Sequence, residues 1–107
     1  MTKFINQINK ELNLNIKTYS KLHQWSIENT ELFWNAILDF TDIIYSGNKK
    51  TVIDDPLKFP GAKWFPDIQL NYAENLLKFK NDNLAIESYL EDGTSKSLSY
   101  NELNKKV

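Results

Sequence analysis

The 107-residue sequence predicts an α+β fold: a mainly helical segment of about four helices, then a β-hairpin and the start of a further helix. Three observations support this class. Apolar residues in the first half recur every three or four positions, which is typical of amphipathic helices. Asp92-Gly93 lies between two strand-like runs, and this pair favours a hairpin turn. Ser99-Tyr100-Asn101-Glu102 has the spacing of a helix capping box.

Two short helices are predicted before residue 30. The first covers Lys3 to Leu12, where the apolar side chains share one helical face, and Asn13-Leu14-Asn15 ends it. The second covers Tyr19 to Trp25. Asn29 or Thr30 is then expected to cap a third helix, because a short polar side chain can accept the free amide hydrogens of the first turn.

The predicted third helix, Thr30 to Tyr45, has an unusually wide apolar surface. Most of its circumference carries aliphatic or aromatic side chains, and Glu31, Asn35, Asp39 and Asp42 form only a narrow polar strip. A helix at the surface of a small domain normally shows a narrower apolar stripe. This pattern therefore predicts that the helix packs on more protein than these 107 residues supply.

The stretch after this helix predicts mostly loop. Gly47 indicates a turn, Thr51-Val52-Ile53 a possible short strand, and Asp54 to Pro66 a loop that contains all three prolines. Within it, Phe59 to Pro66 is short, stiff and aromatic. Large aromatic side chains on an ordered loop suit contact with another surface, so this segment is the candidate interface.

The remaining elements are predicted from their caps and turns. Asn71, with Glu74 three residues later, opens a short helix through Leu77. Leu84 to Leu90 and Ser97 to Tyr100 form the two hairpin strands. A capped helix that stops at Val107 suggests that the chain is a fragment of a longer protein.

Composition excludes several classes of function. The chain has no Cys, which excludes disulfide scaffolds and Cys-type metal sites. Its basic residues are all Lys, and its net charge is −1, so no nucleic-acid partner is expected. Its three glycines are too scattered for a phosphate-binding loop. No apolar run is long enough to span a membrane, the N-terminus lacks a signal-peptide core, and a cytoplasmic location is expected.

No residue is assigned a catalytic, cofactor-binding or metal-binding role. His23 is the only histidine, and its place between Leu22 and Trp25 favours a packed helix residue over a catalytic one. Asp54 and Asp55 are interpreted as turn-forming residues rather than as half of a metal site, because no further oxygen ligand is evident. The candidate docking surface consists of Trp34, Trp64, Phe65, Pro66 and Tyr72.

Three segments resemble acetyl-CoA-synthetase-type adenylate-forming enzymes. They are Tyr19 to Glu28 with Phe33-Trp34, then Pro60 to Pro66, then Leu70 to Leu77. The Trp-Phe-Pro run ahead of Leu-Asn-Tyr-Ala-Glu-Asn-Leu-Leu resembles the acetoacetate–CoA ligases of this superfamily more than the acetyl enzymes. The resemblance covers nearly the whole chain, although no single residue decides it.

The resemblance implies a much longer parent enzyme. Residues 1–80 would be its helical N-terminal region, and residues 81–107 would open its AMP-binding large domain. Such enzymes use ATP and Mg²⁺ to convert a carboxylate, here acetoacetate, to an acyl-adenylate, and CoA then displaces AMP. The catalytic motifs of the family lie outside this sequence, so the fragment alone is expected to be inactive and to need no cofactor.

The expected partner is the remainder of the parent chain, and an isolated fragment is expected to self-associate through exposed apolar surface. Two alternatives remain open. The chain could be a free-standing protein-interaction module that uses the Trp64-Phe65 loop, or the N-terminus of an acetyl- or propionyl-CoA synthetase.

Overall fold

A computed structural model describes all 107 residues, which divide into two compact units, Met1–Gln69 and Leu70–Val107. The first contains α1 (Thr2–Glu11), α2 (Tyr19–Glu28), α3 (Thr30–Phe40), β1 (Ser46–Gly47) and β2 (Ile68–Gln69). The second contains α4 (Tyr72–Leu76), β3 (Leu84–Tyr89), β4 (Ser95–Ser99) and α5 (Tyr100–Lys106). The predicted α+β class is confirmed, while the division after residue 80 stays a prediction. No helix is both long and apolar enough to cross a membrane.

The core of the first unit lies among its three helices. α2 begins where predicted, because the Thr18 hydroxyl accepts a hydrogen bond from the Lys21 amide at 3.3 Å. The Asn9 side chain holds the α1–α2 connection by donating to the Ile16 carbonyl and accepting from the Ile16 amide, at 2.8 and 2.9 Å. The central cluster of buried side chains is Phe4, Ile8, Ile16, Leu22 and Ala36.

The predicted third helix is too long, because α3 ends at Phe40 instead of Tyr45. The Thr41 hydroxyl donates to the carbonyls of Ile37 and Leu38, and Asp42 adopts a left-handed φ of 52°. Both features replace the hydrogen bonds of a further turn. Asn29 occupies the N-cap position, but its side chain donates to the Trp25 carbonyl and makes no cap hydrogen bond.

The predicted turn at Gly47 is part of β1, which pairs antiparallel with β2, an element that the sequence pattern does not predict. Both strands have only two residues, too few for an alternating pattern. The predicted strand at Thr51–Ile53 is reduced to a single bridge between Ile53 and Trp64. The loop predicted from Asp54 to Pro66 contains no regular helix or strand.

The second unit follows its predicted caps and turns. The Asn71 side chain accepts from the Glu74 amide at the start of α4. β3 and β4 form an antiparallel hairpin with an irregularity between Leu84 and Ile86. At α5 both hydrogen bonds of the capping box between Ser99 and Glu102 are present. β3 begins at Leu84 as predicted and ends one residue earlier, whereas β4 begins two residues and ends one residue before its predicted bounds. No residue of this unit is buried.

Candidate docking surface

Trp34, Trp64 and Phe65 line an apolar depression of about 290 Å³ on the first unit, here called the aromatic surface. The rings of Trp34 and Trp64 meet edge to face, with centroids 5.6 Å apart and planes at 64°. This arrangement brings the positive edge of one ring to the negative face of the other. Trp34 is 41% exposed and Trp64 45% exposed, so much of both indoles contacts solvent.

Backbone hydrogen bonds hold the loop that carries Trp64 and Phe65. The Phe65 amide donates to the Val52 carbonyl at 2.7 Å, and the Asp54 amide donates to the Lys63 carbonyl at 3.1 Å. Val52 is only 1% exposed, which anchors this bridge in the interior. Phe65 itself has a left-handed φ of 45°, an unfavourable conformation for a bulky residue. The surrounding hydrogen bonds therefore fix the loop in a defined shape.

Asp54 is the polar centre of this loop. One carboxylate oxygen accepts from the amides of Asp55 and Lys63, each at 2.8 Å. The hydrogen bond from the Lys63 backbone lowers the pKa of Asp54 below its usual value of 3.8. Asp55 accepts from the Leu57 amide at 2.9 Å in the turn that contains Pro56. The interpretation of both acids as turn-forming residues is confirmed.

A chain of aromatic contacts joins the aromatic surface to the core. Phe33 packs edge to face on Trp34 at 5.3 Å and on Phe4 at 6.0 Å, and it also meets Trp25 at 6.3 Å. Phe4 is only 5% exposed. The exposed indoles therefore stand on a packed aromatic base, which limits the conformational entropy that would be lost when another surface covers them.

The structure brings together three of the five residues predicted for docking: Trp34, Trp64 and Phe65. Pro66 follows Phe65 in the chain and is exposed. Tyr72 belongs to the second unit, where it is the first residue of α4 and is 74% exposed. Leu57 is 92% exposed on the same loop but does not line the aromatic surface.

The remaining candidate side chains form no catalytic constellation. His23 lies on α2 as predicted, but it is exposed and stacks on Tyr19 at 6.1 Å, so its expected packing in the interior is wrong. It faces solvent because α2 turns Leu22, and not His23, toward the core. No group of three or more His, Cys, Asp or Glu side chains is arranged to hold a metal ion.

The comparison with protein families matches residues 19–76, more than half of the chain, to the acetyl-coenzyme A synthetase N-terminus. An acetoacetyl-CoA synthetase of Xenopus tropicalis is 42% identical over 85% of this chain and 14% of its own length. A malonamoyl-CoA synthetase (vrtB) of Penicillium aethiopicum is 31% identical over the whole chain and 16% of its own length. An acetoacetyl-coenzyme A synthetase of Rhizobium meliloti (strain 1021) is 29% identical over the same shares. No solved structure matches the chain significantly.

The matched family segment includes α2, α3, the aromatic surface and α4, so it contains all five residues predicted for docking. The chain spans only about one seventh of the length of the curated relatives reported above. Within that span, the family match agrees with the resemblance noted from the sequence. The chain therefore belongs to the acetyl-coenzyme A synthetase N-terminus family and corresponds to the N-terminal region of an acetyl-CoA synthetase-like enzyme.

Proposed function

We propose that this chain is the N-terminal structural segment of an ATP-dependent, AMP-forming acid–CoA ligase that acts on acetoacetate. The observation that carries the proposal is the 42% identity to an acetoacetyl-CoA synthetase over most of the chain. The parent would join acetoacetate to AMP with release of pyrophosphate, and the CoA thiolate would then displace AMP to form acetoacetyl-CoA. ATP, Mg²⁺ and CoA are cofactors and substrates of the parent, and none is assigned to residues of this segment.

The role proposed for the segment is packing rather than chemistry. Trp34 and Trp64 are rigidly supported yet nearly half exposed, and Leu32, on the same helix as Trp34, is 49% exposed. Aromatic side chains held in this way are well suited to the centre of an interface. The proposed occupant of the aromatic surface is the remainder of the ligase chain.

The substrate is tested with the full-length chain and a panel of carboxylic acids. Pyrophosphate release and thioester formation are measured with acetoacetate, acetate, propionate and malonamate, each with ATP, Mg²⁺ and CoA. The proposal predicts the highest kcat/KM for acetoacetate. Strong activity on acetate or propionate with none on acetoacetate would contradict it and favour the alternative synthetases.

The segment alone is expected to bind no ATP, because its polar groups form turns and caps rather than a phosphate-binding site. Calorimetric titration of the 107-residue chain with Mg-ATP should give no heat of binding. A dissociation constant in the micromolar range would show that part of the nucleotide site lies here.

Docking through the aromatic surface is tested by comparing Trp64→Ala in two settings. In the 107-residue chain, Trp64→Ala should lower the free energy of unfolding by about 0.5–1.5 kcal/mol for the lost Trp34–Trp64 contact, and by a further amount for the part of the ring that is buried there. In the full-length ligase, Trp64→Ala should lower the free energy of unfolding by clearly more, because contacts with the covering surface are lost as well. Tyr19→Ala is the control, since Tyr19 is 61% exposed on α2, outside the aromatic surface and the loop from Phe59 to Pro66. Equal costs of Trp64→Ala in both settings would contradict docking.

The isolated chain is expected to self-associate when nothing covers its apolar residues. Light scattering during size-exclusion chromatography should show a mass that rises with concentration. A monomer at all concentrations, with no binding of an apolar dye, would count against an exposed docking surface.

The proposed cytosolic location is tested by fractionating cells that express the full-length chain, and recovery with an organelle would contradict it.

A further inference from the structure

The two strands of the hairpin differ sharply in the surface that each offers to a neighbour. β3 reads Leu-Ala-Ile-Glu-Ser-Tyr, and its Leu84, Ile86 and Tyr89 are 55%, 46% and 73% exposed. β4 reads Ser-Lys-Ser-Leu-Ser, with Lys96 near its middle. A lysine and short polar side chains are what proteins place on strands whose edge stays in water. β3 carries no lysine, and its protective features are Glu87, Ser88 and the irregularity between Leu84 and Ile86.

The ladder shows which backbone groups are free on each edge. The Leu90 amide donates to the Thr94 carbonyl at 2.8 Å, which marks that pair as hydrogen-bonded. Hydrogen-bonded and non-hydrogen-bonded pairs alternate along an antiparallel ladder. The pair Glu87–Ser97 and the pair Tyr89–Ser95 are therefore non-hydrogen-bonded, so their N–H and C=O groups point away from the hairpin.

We propose that the outer edge of β3, and not that of β4, pairs with a strand from the remainder of the ligase chain. A strand laid there would receive the free backbone groups of Glu87 and Tyr89. It would also cover apolar side chains on both faces, because Ile86 and Tyr89 point to opposite sides of the sheet. A strand beside β4 would gain the same backbone hydrogen bonds but would meet Ser95 and Ser97 on one face and Lys96 and Leu98 on the other, so it would cover less apolar surface.

The occupant is chosen from the length of chain outside the structure, and this step rests on the proposed function. The curated relatives reported above are about six times as long as this chain, so in a ligase most of the potential strands lie outside it. A two-stranded hairpin by itself is only marginally stable in water. Further strands would stabilise it, and strands of the parent chain would be present at a high effective concentration.

The experiment compares residue-resolved amide hydrogen exchange in the full-length chain and in the 107-residue chain. Pairing at β3 should slow exchange at the Glu87 and Tyr89 amides by at least about 100-fold in the full-length chain, while the Ser95 and Ser97 amides change by less than about 10-fold. Slowing at the β4 amides instead, or at neither edge, would overturn the proposal. Protection of β3 in the full-length chain that is lost on dilution would identify a second copy as the occupant and would also overturn it.

A matched pair of variants gives an independent test. Glu87→Pro and Ser97→Pro each remove one outward N–H and leave the hydrogen bonds within the hairpin intact. In the full-length chain, Glu87→Pro should lower the melting temperature by at least about 3 °C more than Ser97→Pro. In the 107-residue chain, the two variants should behave alike. A larger decrease in melting temperature for Ser97→Pro than for Glu87→Pro in the full-length chain would contradict the proposal. If either variant fails to fold, the amide-exchange comparison of the unmodified chains decides between the two edges.

Acetoacetate activation is assayed on the same full-length preparation, which separates this proposal from the proposed function. An active ligase with unprotected β3 amides would refute the strand pairing alone. Protected β3 amides in a chain that cannot activate acetoacetate would refute the substrate alone.

Discussion

The first unit buries seven apolar side chains, from Phe4 to Val52, whereas the second unit buries none. Both nevertheless have well-formed caps, turns and strand pairs. The difference shows that local signals are sufficient to define the path of the hairpin and α5, while a core needs several elements that converge. We infer that the first unit holds most of the stability of the isolated chain and that the second unit depends on what covers it.

The distribution of tryptophan makes this contrast measurable. Trp25, Trp34 and Trp64 all lie in the first unit. Tryptophan fluorescence therefore reports unfolding of that unit only. Variants in the second unit serve as controls, because they should leave the fluorescence transition unchanged if the units unfold separately.

The largest effect is expected from Ile8→Ala. Ile8 is fully buried at the centre of the core, so the change should lower the free energy of unfolding by about 2–5 kcal/mol. Urea denaturation followed by tryptophan fluorescence measures it. Ile86→Ala, in the hairpin, should leave that transition in place. A similar shift from both variants would show that the two units unfold together.

The next largest effect is expected from alanine substitutions at two glycines of the first unit. Comparing them distinguishes the cost of a steric clash from the cost of backbone strain. Gly47 and Gly61 share a left-handed φ, of 97° and 98°. A Cβ on Gly47 would lie 2.0 Å from the Asp67 carbonyl oxygen, whereas on Gly61 its nearest neighbour is a flexible lysine carbon at 3.7 Å. Gly61→Ala should cost about 1–2 kcal/mol, and Gly47→Ala clearly more. Equal losses in the free energy of unfolding would show that the β1–β2 pair shifts at little cost to accommodate the added Cβ.

A smaller effect is expected from the helix caps. Thr18→Ala removes the hydroxyl that accepts from the Lys21 amide and should cost about 1 kcal/mol in the tryptophan-detected transition. Asn71→Ala removes the corresponding acceptor at α4 in the second unit. That variant should be silent by tryptophan fluorescence while helical circular dichroism falls slightly. A shift of the tryptophan-detected unfolding transition in Asn71→Ala would contradict separate unfolding of the two units.

The smallest effect is the pH dependence from Asp54. The Lys63 amide lowers the pKa of Asp54 in the folded chain. The contribution of Asp54 to the free energy of unfolding is therefore fully present above pH 3.8 and is lost as the pH falls through the lower pKa of the folded chain. In Asp54→Asn, the free energy of unfolding followed by tryptophan fluorescence should therefore decrease less steeply as the pH falls through that acidic range. Asp92, whose pKa is lowered by the Thr94 hydroxyl, is the control in the second unit. Asp92→Asn should leave this pH dependence unchanged.

The elements that the sequence predicted correctly were those with strong local causes. The helix predicted from Tyr19 to Trp25 is present as α2, although it continues to Glu28. Asp92-Gly93 forms a preferred hairpin turn, and Ser99 with Glu102 forms a reciprocal cap. The structure also brings together three of the residues predicted for docking, Trp34 of α3 and Trp64 and Phe65 of the proline-rich loop, while their role in docking stays a prediction.

The failures had causes that are not local. α3 stops at Phe40 although apolar residues continue to Tyr45, because Thr41 and Asp42 supply a competing end to the helix. The β1–β2 bridge joins residues about twenty positions apart, and each strand is too short to show a pattern. The exposure of His23 depends on which face α2 turns to the core, which packing decides.

Amide hydrogen exchange of the 107-residue chain at low concentration tests the central claim most directly. The contrast between the units predicts that amides in the middle of α1, α2 and α3 exchange only with unfolding of the first unit, whereas the hydrogen-bonded amides of β3 and β4 exchange at least about 100-fold faster. Equal protection of the hairpin and the three helices would contradict the claim that the second unit depends on a partner.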